Sequence, residues 1–290
     1  RINISKNILY FRAGRHRHEG KKLLPHGQNR RAMRTGFVSY DREEYSESIV
    51  QADELGFDYV EIMMDGDAHR DHLERDAEAV VDALETRDVD LLVHFPYPLL
   101  IGSPHRHQRE GAIKELKRCI EVAASVGAEK GVVHPDSYGW RRVWDRAELD
   151  SKLIPSVREL DEFATERGLE ICLENLFGEF NSLDIHGFDA PLSETDVSMT
   201  FDTGHAAIAG MTEAEMASFL EEHSERVSHL HINDTRHSDH GYRGQDEHLP
   251  IGYGALDFAE ALQPVRDGTW DGTVSIELDT EDFEYLETSK

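Results

Sequence analysis

Nine residues of the chain combine the types and the spacing needed to hold divalent metal ions. His94, His134, Glu174, Asp202, His231 and Glu277 each close or flank a short apolar run, in HFPYP, VVHP, CLEN, FDTGH, HLHINDT and SIELD. His205 follows Asp202 by three residues, and Asp246 and His248 lie together in QDEHLPIGYG. Five imidazoles and four carboxylates suit Zn, Mn or Co, one to three ions in number, and suit Mg or Ca much less well. A lone His at a strand end is ordinarily a hydrogen-bonded loop residue. Here the ligand types recur at seven strand ends or adjoining loops, and that recurrence points to a metal site.

The remaining histidines read differently. His69, His72, His105, His107, His237 and His240 sit in polar loops and read as solvated. His229 lies deeper in the same strand as His231 and reads as a packed barrel residue. Met63 and Met64 read as core.

Positioning nine such residues on one rim requires parallel strands. From Met33 onward, strand-like and helix-like patterns alternate: TGFVSY, FDYVEIMM, LLVHFP, KGVVHP, LEICLENL, VSMTFDTGHA, VSHLHINDT and GTVSIELD are each followed by a helical or weakly helical segment. Eight such units over residues 33–290 predict a single (β/α)8 TIM barrel, whose functional groups gather at the carboxyl ends of the strands. The competing open doubly wound sheet would carry a glycine-rich phosphate turn, and neither GxGxxG nor GxxxxGK[ST] occurs.

Composition narrows the class further. The 290 residues include 31 Lys+Arg and 58 Asp+Glu, a formal charge of −27. With 39% hydrophobic residues and nine prolines, collagen-like, disulfide-scaffold and disordered chains are excluded. Residues 1–32 hold nine basic residues and one acid, Glu19, whereas 33–290 carry a net charge of −35. The basic segment therefore reads as a tail, a tag or a misread start outside the fold, with Met33 opening the first strand; the other reading is a basic arm that binds a partner. The acids are spread along helix faces, as in proteins of salt-loving archaea, where a Debye length of about 3 Å at about 1 M salt suppresses self-repulsion. No apolar run of about 18 residues exists, which excludes a membrane partner. ILYF is too short for a signal-peptide core, and Cys119 and Cys172 fit two buried thiols in a reducing compartment; the expected location is cytoplasmic.

Taken in order, HFPYP, VVHP, CLEN, FDTGH, HLHINDT, DEHLPIGYG and SIELD resemble the xylose isomerase-like TIM barrels, over nearly everything from Met33 to about Asp279. That superfamily includes sugar-phosphate isomerases and epimerases and the endonuclease IV group of AP endonucleases. The isomerase branch implies one divalent ion on Glu174, Asp202, His231 and Glu277, with Glu174 and Glu277 moving a proton through an enediolate and His205 bonding substrate oxygens. It also offers Glu61, in DYVEI, as a substrate contact; the alternative is an inward salt bridge at the barrel end. For a phosphorylated substrate, Arg236 and Arg243 are the candidate clamps, with Arg106 and Arg109 weaker.

The endonuclease IV branch implies that all nine residues hold three zinc ions and that a bridging hydroxide attacks abasic-site DNA. This chain departs from that branch at Arg236, where a Lys follows HxND, at Glu247 and two extra residues in the following loop, and at Gly204, where Cys is usual. No interleaved basic and aromatic track stands out. The sequence therefore favours a metal-dependent enzyme acting on a small-molecule sugar or sugar phosphate, with nucleic acid as partner only under the alternative. A third reading is a catalytically silent barrel used for binding. The sequence leaves the oligomeric state open.

Overall fold

Eight parallel strands close into a barrel in chain order: β1 (Arg34–Ser39), β2 (Tyr59–Met63), β3 (Asp90–His94), β4 (Lys130–Val133), β5 (Glu170–Glu174), β6 (Ser198–Asp202), β7 (Val227–Ile232) and β8 (Thr273–Ile276), with β8 paired to β1. This is the expected (β/α)8 barrel. The computed structural model describes residues 33–40, 45–178, 182–236, 246–266, 270–279 and 284–290. The 1–32 segment, His237, His240 and Arg243 lie outside the described residues.

Helices between the strands follow local signals. The helix Arg146–Thr165 starts on a capping box in which Asp145 and Glu148 satisfy each other's backbone N–H. It buries Leu149, Leu153, Val157, Leu160 and Ala164, one face at helical spacing. Thr212 and Glu215 cap the helix Glu213–Glu222 in the same way. No helix among the described residues is long and apolar enough to cross a membrane. Cys119 and Cys172 are both free and buried, as expected.

Side chains alternate along each strand, so one set packs against the helices and the other points into the barrel. Val60, Ile62, Leu91, Val93, Ile171, Leu173, Phe201, Leu230 and Val274 belong to the apolar layer shared with the helices. The opposite parity places Leu92, Val132, Cys172, Thr200, His229 and Ser275 one step below His94, His134, Glu174, Asp202, His231 and Glu277, respectively. Strand register then aligns neighbours: Asp202 is level with His231, and His231 with Ser275. The layer beneath the rim is partly polar, where branched aliphatic residues usually dominate.

Tyr59 fills the barrel next to Gly36, where an added Cβ would lie 2.3 Å from the tyrosine ring. Gly36→Ala should therefore overpack this layer and cost about 1–3 kcal/mol. For a domain of this size the melting temperature should fall by about 2–4 °C per kcal/mol, measured by thermal unfolding.

Candidate metal centre

The structure brings all nine sequence-predicted ligands to the carboxyl end of the barrel, where three clusters of ligand-type side chains together include all nine and two of the three share Glu174. His94, His134 and Glu174 form the first; Glu174, Asp202, His231 and Glu277 the second; His205, Asp246 and His248 the third, with ligand-capable atoms in each set within 4.8 Å of one another. Glu174 belongs to two sets because its oxygens face different ways. Oε2 lies 3.0 Å from His134 Nε2 and 3.4 Å from His94 Nε2, while Oε1 lies 3.2 Å from His231 Nδ1 and 3.4 Å from His205 Nδ1. Glu277 Oε2 approaches the same His231 Nδ1 at 3.0 Å, and Asp246 contacts His248 at 2.9 Å and His205 at 3.4 Å.

Neighbouring groups aim these side chains. His94 donates from Nδ1 to the Phe95 carbonyl at 3.0 Å, which turns Nε2 toward Glu174. His205 donates from Nδ1 to the Asn175 carbonyl at 3.0 Å, leaving Nε2 for Asp246. Asp202 accepts from the His205 backbone N–H at 2.6 Å and from Asn233 Nδ2 at 2.8 Å. Asn175 fixes the Asp202 backbone on both sides, accepting from its N–H at 2.8 Å and donating to its carbonyl at 3.0 Å. Tyr40 donates to Glu277 Oε1 at 2.5 Å.

The loop that carries Asp246 and His248 is tied down by Asp234. Its carboxylate accepts from the backbone N–H groups of Thr235, Gly252, Gly254 and Leu256 at 2.8–3.1 Å, and its backbone pairs with Leu249. His248 itself has φ +41°, a left-handed conformation rare for a residue with a Cβ and typical of functional positions. Sequence reasoning missed Asn175, Asn233, Asp234 and Tyr40. The signal for the first three was present: polar residues one to three positions after a ligand, in CLEN and HIND, at a buried strand end.

Electrostatics and hydrogen bonding both fit a cation. Burial alone would raise the carboxylates, yet the His231 and His134 imidazoles hold Glu174 well below its ordinary range, and His231 and His248 do the same to Glu277. Against the cost of its partial desolvation, the bonds from His205 and His248 bring Asp246 down to about 2. Conversely His248 rises to about 9 against the effect of burial, driven by Glu277 and Asp246, and His205 and His231 rise well above their ordinary value. Burial, with Glu277 and Glu174 adding to it, pushes Asp202 up to about 7. Three buried atoms, Glu174 Oε2, Glu277 Oε2 and His248 Nδ1, have close polar neighbours but no hydrogen-bond partner of acceptable geometry. Lone pairs that converge without sharing a proton are what ligands to a common ion require.

The other sequence-predicted residues fall elsewhere. Glu61 is fully buried beneath His231 and does not line the cavity; it bonds His229, His231 and Ser275. Of the two readings of Glu61, the structure places the side chain as in the inward one. Arg236 is exposed and pairs with Glu247 at 3.0 Å. Arg106 pairs with Glu110, and Arg109 donates to the Ser103 carbonyl. The cavity above the metal ligands, about 300 Å³, is walled by Tyr97, Pro98, Tyr138 and Phe177, and no Lys or Arg lines it among the described residues. Tyr97 stacks on His134 and Phe177 packs against His205, each at 5.1 Å between ring centroids.

Comparison with known proteins agrees with this geometry. The family model for the xylose isomerase-like TIM barrel matches residues 49–289. An uncharacterized protein of Methanocaldococcus jannaschii is 27% identical over 243 residues, 81% of this chain and 79% of its own length. A probable endonuclease 4 of Mycobacterium ulcerans is 27% identical over 189 residues, 63% of this chain and 71% of its own. Among solved structures, a D-tagatose 3-epimerase-like protein superposes with a TM-score of 0.73 at 27% identity, covering 89% of this chain and 98% of that one.

Metal must displace the protons that the raised imidazoles hold. In the metal-free protein, a histidine such as His248 stabilises the fold fully below its unfolded value of about 6.5, and that contribution is lost as pH rises through about 9. Metal affinity moves the opposite way, because fewer protons remain to be released. The rise in melting temperature given by a fixed excess of Co2+ should therefore grow from about pH 6 to about pH 8. Thermal unfolding with and without the ion measures it, and an increment that shrinks over this range would show that the imidazoles are not ligands.

Proposed function

Because the chain belongs to the xylose isomerase-like TIM barrel family, we propose that it is a divalent-metal-dependent isomerase or epimerase of a sugar or sugar phosphate. The observation that carries this reading is the pair Glu174 and Glu277. They reach the same nitrogen of His231 from separate strand ends, at 3.2 and 3.0 Å, and both line a cavity of about 300 Å³, the lower end of the range for small-molecule sites. A divalent ion held by Glu174, Asp202, His231 and Glu277 would supply polarisation of the substrate carbonyl and its neighbouring hydroxyl.

The chain's own groups then handle the proton. One glutamate takes it from the carbon next to the carbonyl and the other returns one, so the sugar keeps its redox level and its carbon skeleton. His205, whose Nδ1 is committed to the Asn175 carbonyl, lines the cavity and would share Nε2 between Asp246, 3.4 Å away, and the substrate oxygens. Tyr97, Tyr138 and Phe177, each partly exposed, wall the mouth of the cavity and offer apolar faces to the substrate's carbon skeleton.

One observation favours a second reading, an endonuclease IV-like zinc phosphodiesterase acting on abasic-site DNA. Glu174 divides its oxygens between the set with His94 and His134 and the set with His231, and His205, Asp246 and His248 form a further set. A one-ion sugar mechanism assigns no task to His94, His134, Asp246 or His248. Metal analysis of the purified protein, with parallel assays on ketoses, ketose phosphates and abasic-site DNA, separates the two. About one ion with sugar turnover supports the first reading, and about three zinc ions with DNA nicking establishes the second.

Two predictions follow from the glutamate pair. Glu174→Gln and Glu277→Gln should each lower kcat by about 10²-fold to 10⁴-fold. His94→Ala should do much less in a one-ion enzyme, and as much in a cluster, as read by steady-state kinetics. Separately, sugar turned over in D2O should gain deuterium at the carbon next to the carbonyl, because a carboxylic acid exchanges with solvent quickly compared with turnover of about 10 per second. Mass spectrometry of the product reads this, and turnover without label would point to a hydride shift and remove the two-glutamate mechanism.

A further inference from the structure

Glu61 is a carboxylate buried in the barrel layer where aliphatic side chains ordinarily pack, and it is 0% exposed. All its hydrogen-bonding capacity is spent inside the barrel. Oε2 accepts from Ser275 Oγ at 2.6 Å and from His229 Nε2 at 3.0 Å; His231 Nε2 lies 3.1 Å from Oε1 and 3.3 Å from Oε2. Each donor is itself oriented from outside. The Tyr59 hydroxyl lies 3.0 Å from Ser275 Oγ, and Thr273 Oγ1 lies 2.7 Å from His229 Nδ1. Because a carboxylate only accepts, this arrangement requires N–H at Nε2 of both imidazoles and Tyr59 donating to Ser275, while His229 Nδ1 is held between the Thr273 hydroxyl at 2.7 Å and the Thr273 carbonyl at 3.1 Å.

The consequence reaches His231. With Nε2 committed as a donor, the nitrogen that faces Glu174 and Glu277 is Nδ1. We infer that Glu61 is a positioning residue for the metal centre, one that fixes the tautomer and ring plane of His231 from beneath, with Tyr59, Ser275, His229 and Thr273 holding the glutamate in turn. The inference deepens the reading above and rests on its metal site. Aliphatic residues would fill this layer without the cost of burying a charge, so packing alone does not account for a glutamate fed by four donor contacts. A carboxylate behind a ligating imidazole also raises the ligand's basicity, which strengthens metal binding.

The test is Co2+ titration of the full chain, followed by visible absorption, with the melting curve of the metal-free protein as the fold control. Glu61→Gln keeps the shape but loses the charge, and whichever way the amide is turned its NH2 group faces at least one of the N–H or O–H donors that Glu61 accepts from. Co2+ affinity should fall by about 10-fold to 100-fold, with a changed absorption band and a cooperative melt. Tyr59→Phe removes only the outermost donor of the chain that holds Glu61 and should lower affinity less than Glu61→Gln does. Unchanged affinity and spectrum in a folded Glu61→Gln protein would overturn the inference, as would a larger loss in Tyr59→Phe. If Glu61→Gln does not fold, Ser275→Ala carries the same test: it removes the 2.6 Å donor without touching a ligand. A several-fold weaker affinity with a shifted band supports the inference, and wild-type behaviour overturns it. Wild-type protein that binds no Co2+ would instead overturn the metal site itself.

Discussion

The barrel mouth is built around one electrostatic constraint: buried carboxylates must be neutralised where water cannot do it. Glu61, Glu174, Asp202 and Glu277 are each almost wholly removed from solvent within a few ångströms of one another. An isolated buried carboxylate would take up a proton, yet Glu61, Glu174 and Glu277 are held well below their ordinary range because imidazoles surround them. Asp202 faces His205 and His248 but also two anionic neighbours, Glu277 and Glu174, and it alone of the four is pushed upward. The set is therefore short of positive charge, and His94, His205, His231 and His248 all respond by holding protons more tightly. Divalent ions meet the same demand with more charge per site, and they free the imidazoles to act as neutral ligands.

That demand explains how much of the chain serves positions rather than chemistry. Gly204 follows directly from it. A Cβ there would stand 1.9 Å from Asn233 Oδ1, and Asn233 is the residue that holds Asp202 Oδ2. The glycine in FDTGH, a departure from the endonuclease IV pattern, thus has a local steric reason and does not by itself select a reaction. Asp234 acts at longer range, gathering four backbone N–H groups so that a loop of little regular structure presents Asp246 and His248 at a fixed height.

Much of this was legible in the sequence because strand alternation and ligand chemistry share a period. A ligand at a strand end, preceded two positions earlier by an inward residue, is readable from pairs such as Cys172 and Glu174 or Thr200 and Asp202. What could not be read were contacts between strands far apart in sequence. Glu61 lies 170 residues from His231, and nothing in DYVEI shows that its carboxylate ends beneath an imidazole of HLHIND instead of at the substrate. Tyr40 and Glu277 meet only because β1 closes against β8. Arg236 was legible as a cation beside the site, but its pairing with Glu247, eleven residues on, was not.

The same charge count links the number of ions to the substrate. Glu174, Asp202, Asp246 and Glu277 together bring four negative charges to the three ligand sets. One divalent ion would offset two of those charges and leave the rest to the protonated imidazoles of the outer sets, a nearly balanced rim whose carboxylates and imidazoles would bond the hydroxyls of a polyol. Three divalent ions reverse the sign, and a net positive rim attracts the phosphodiester anion and stabilises charge developing on it. The candidate ligand residues by themselves fit either charge balance, so what would separate the two is how many of the three sets hold an ion, and that turns on the affinity of the two outer sets, His94 with His134 and His205 with Asp246 and His248.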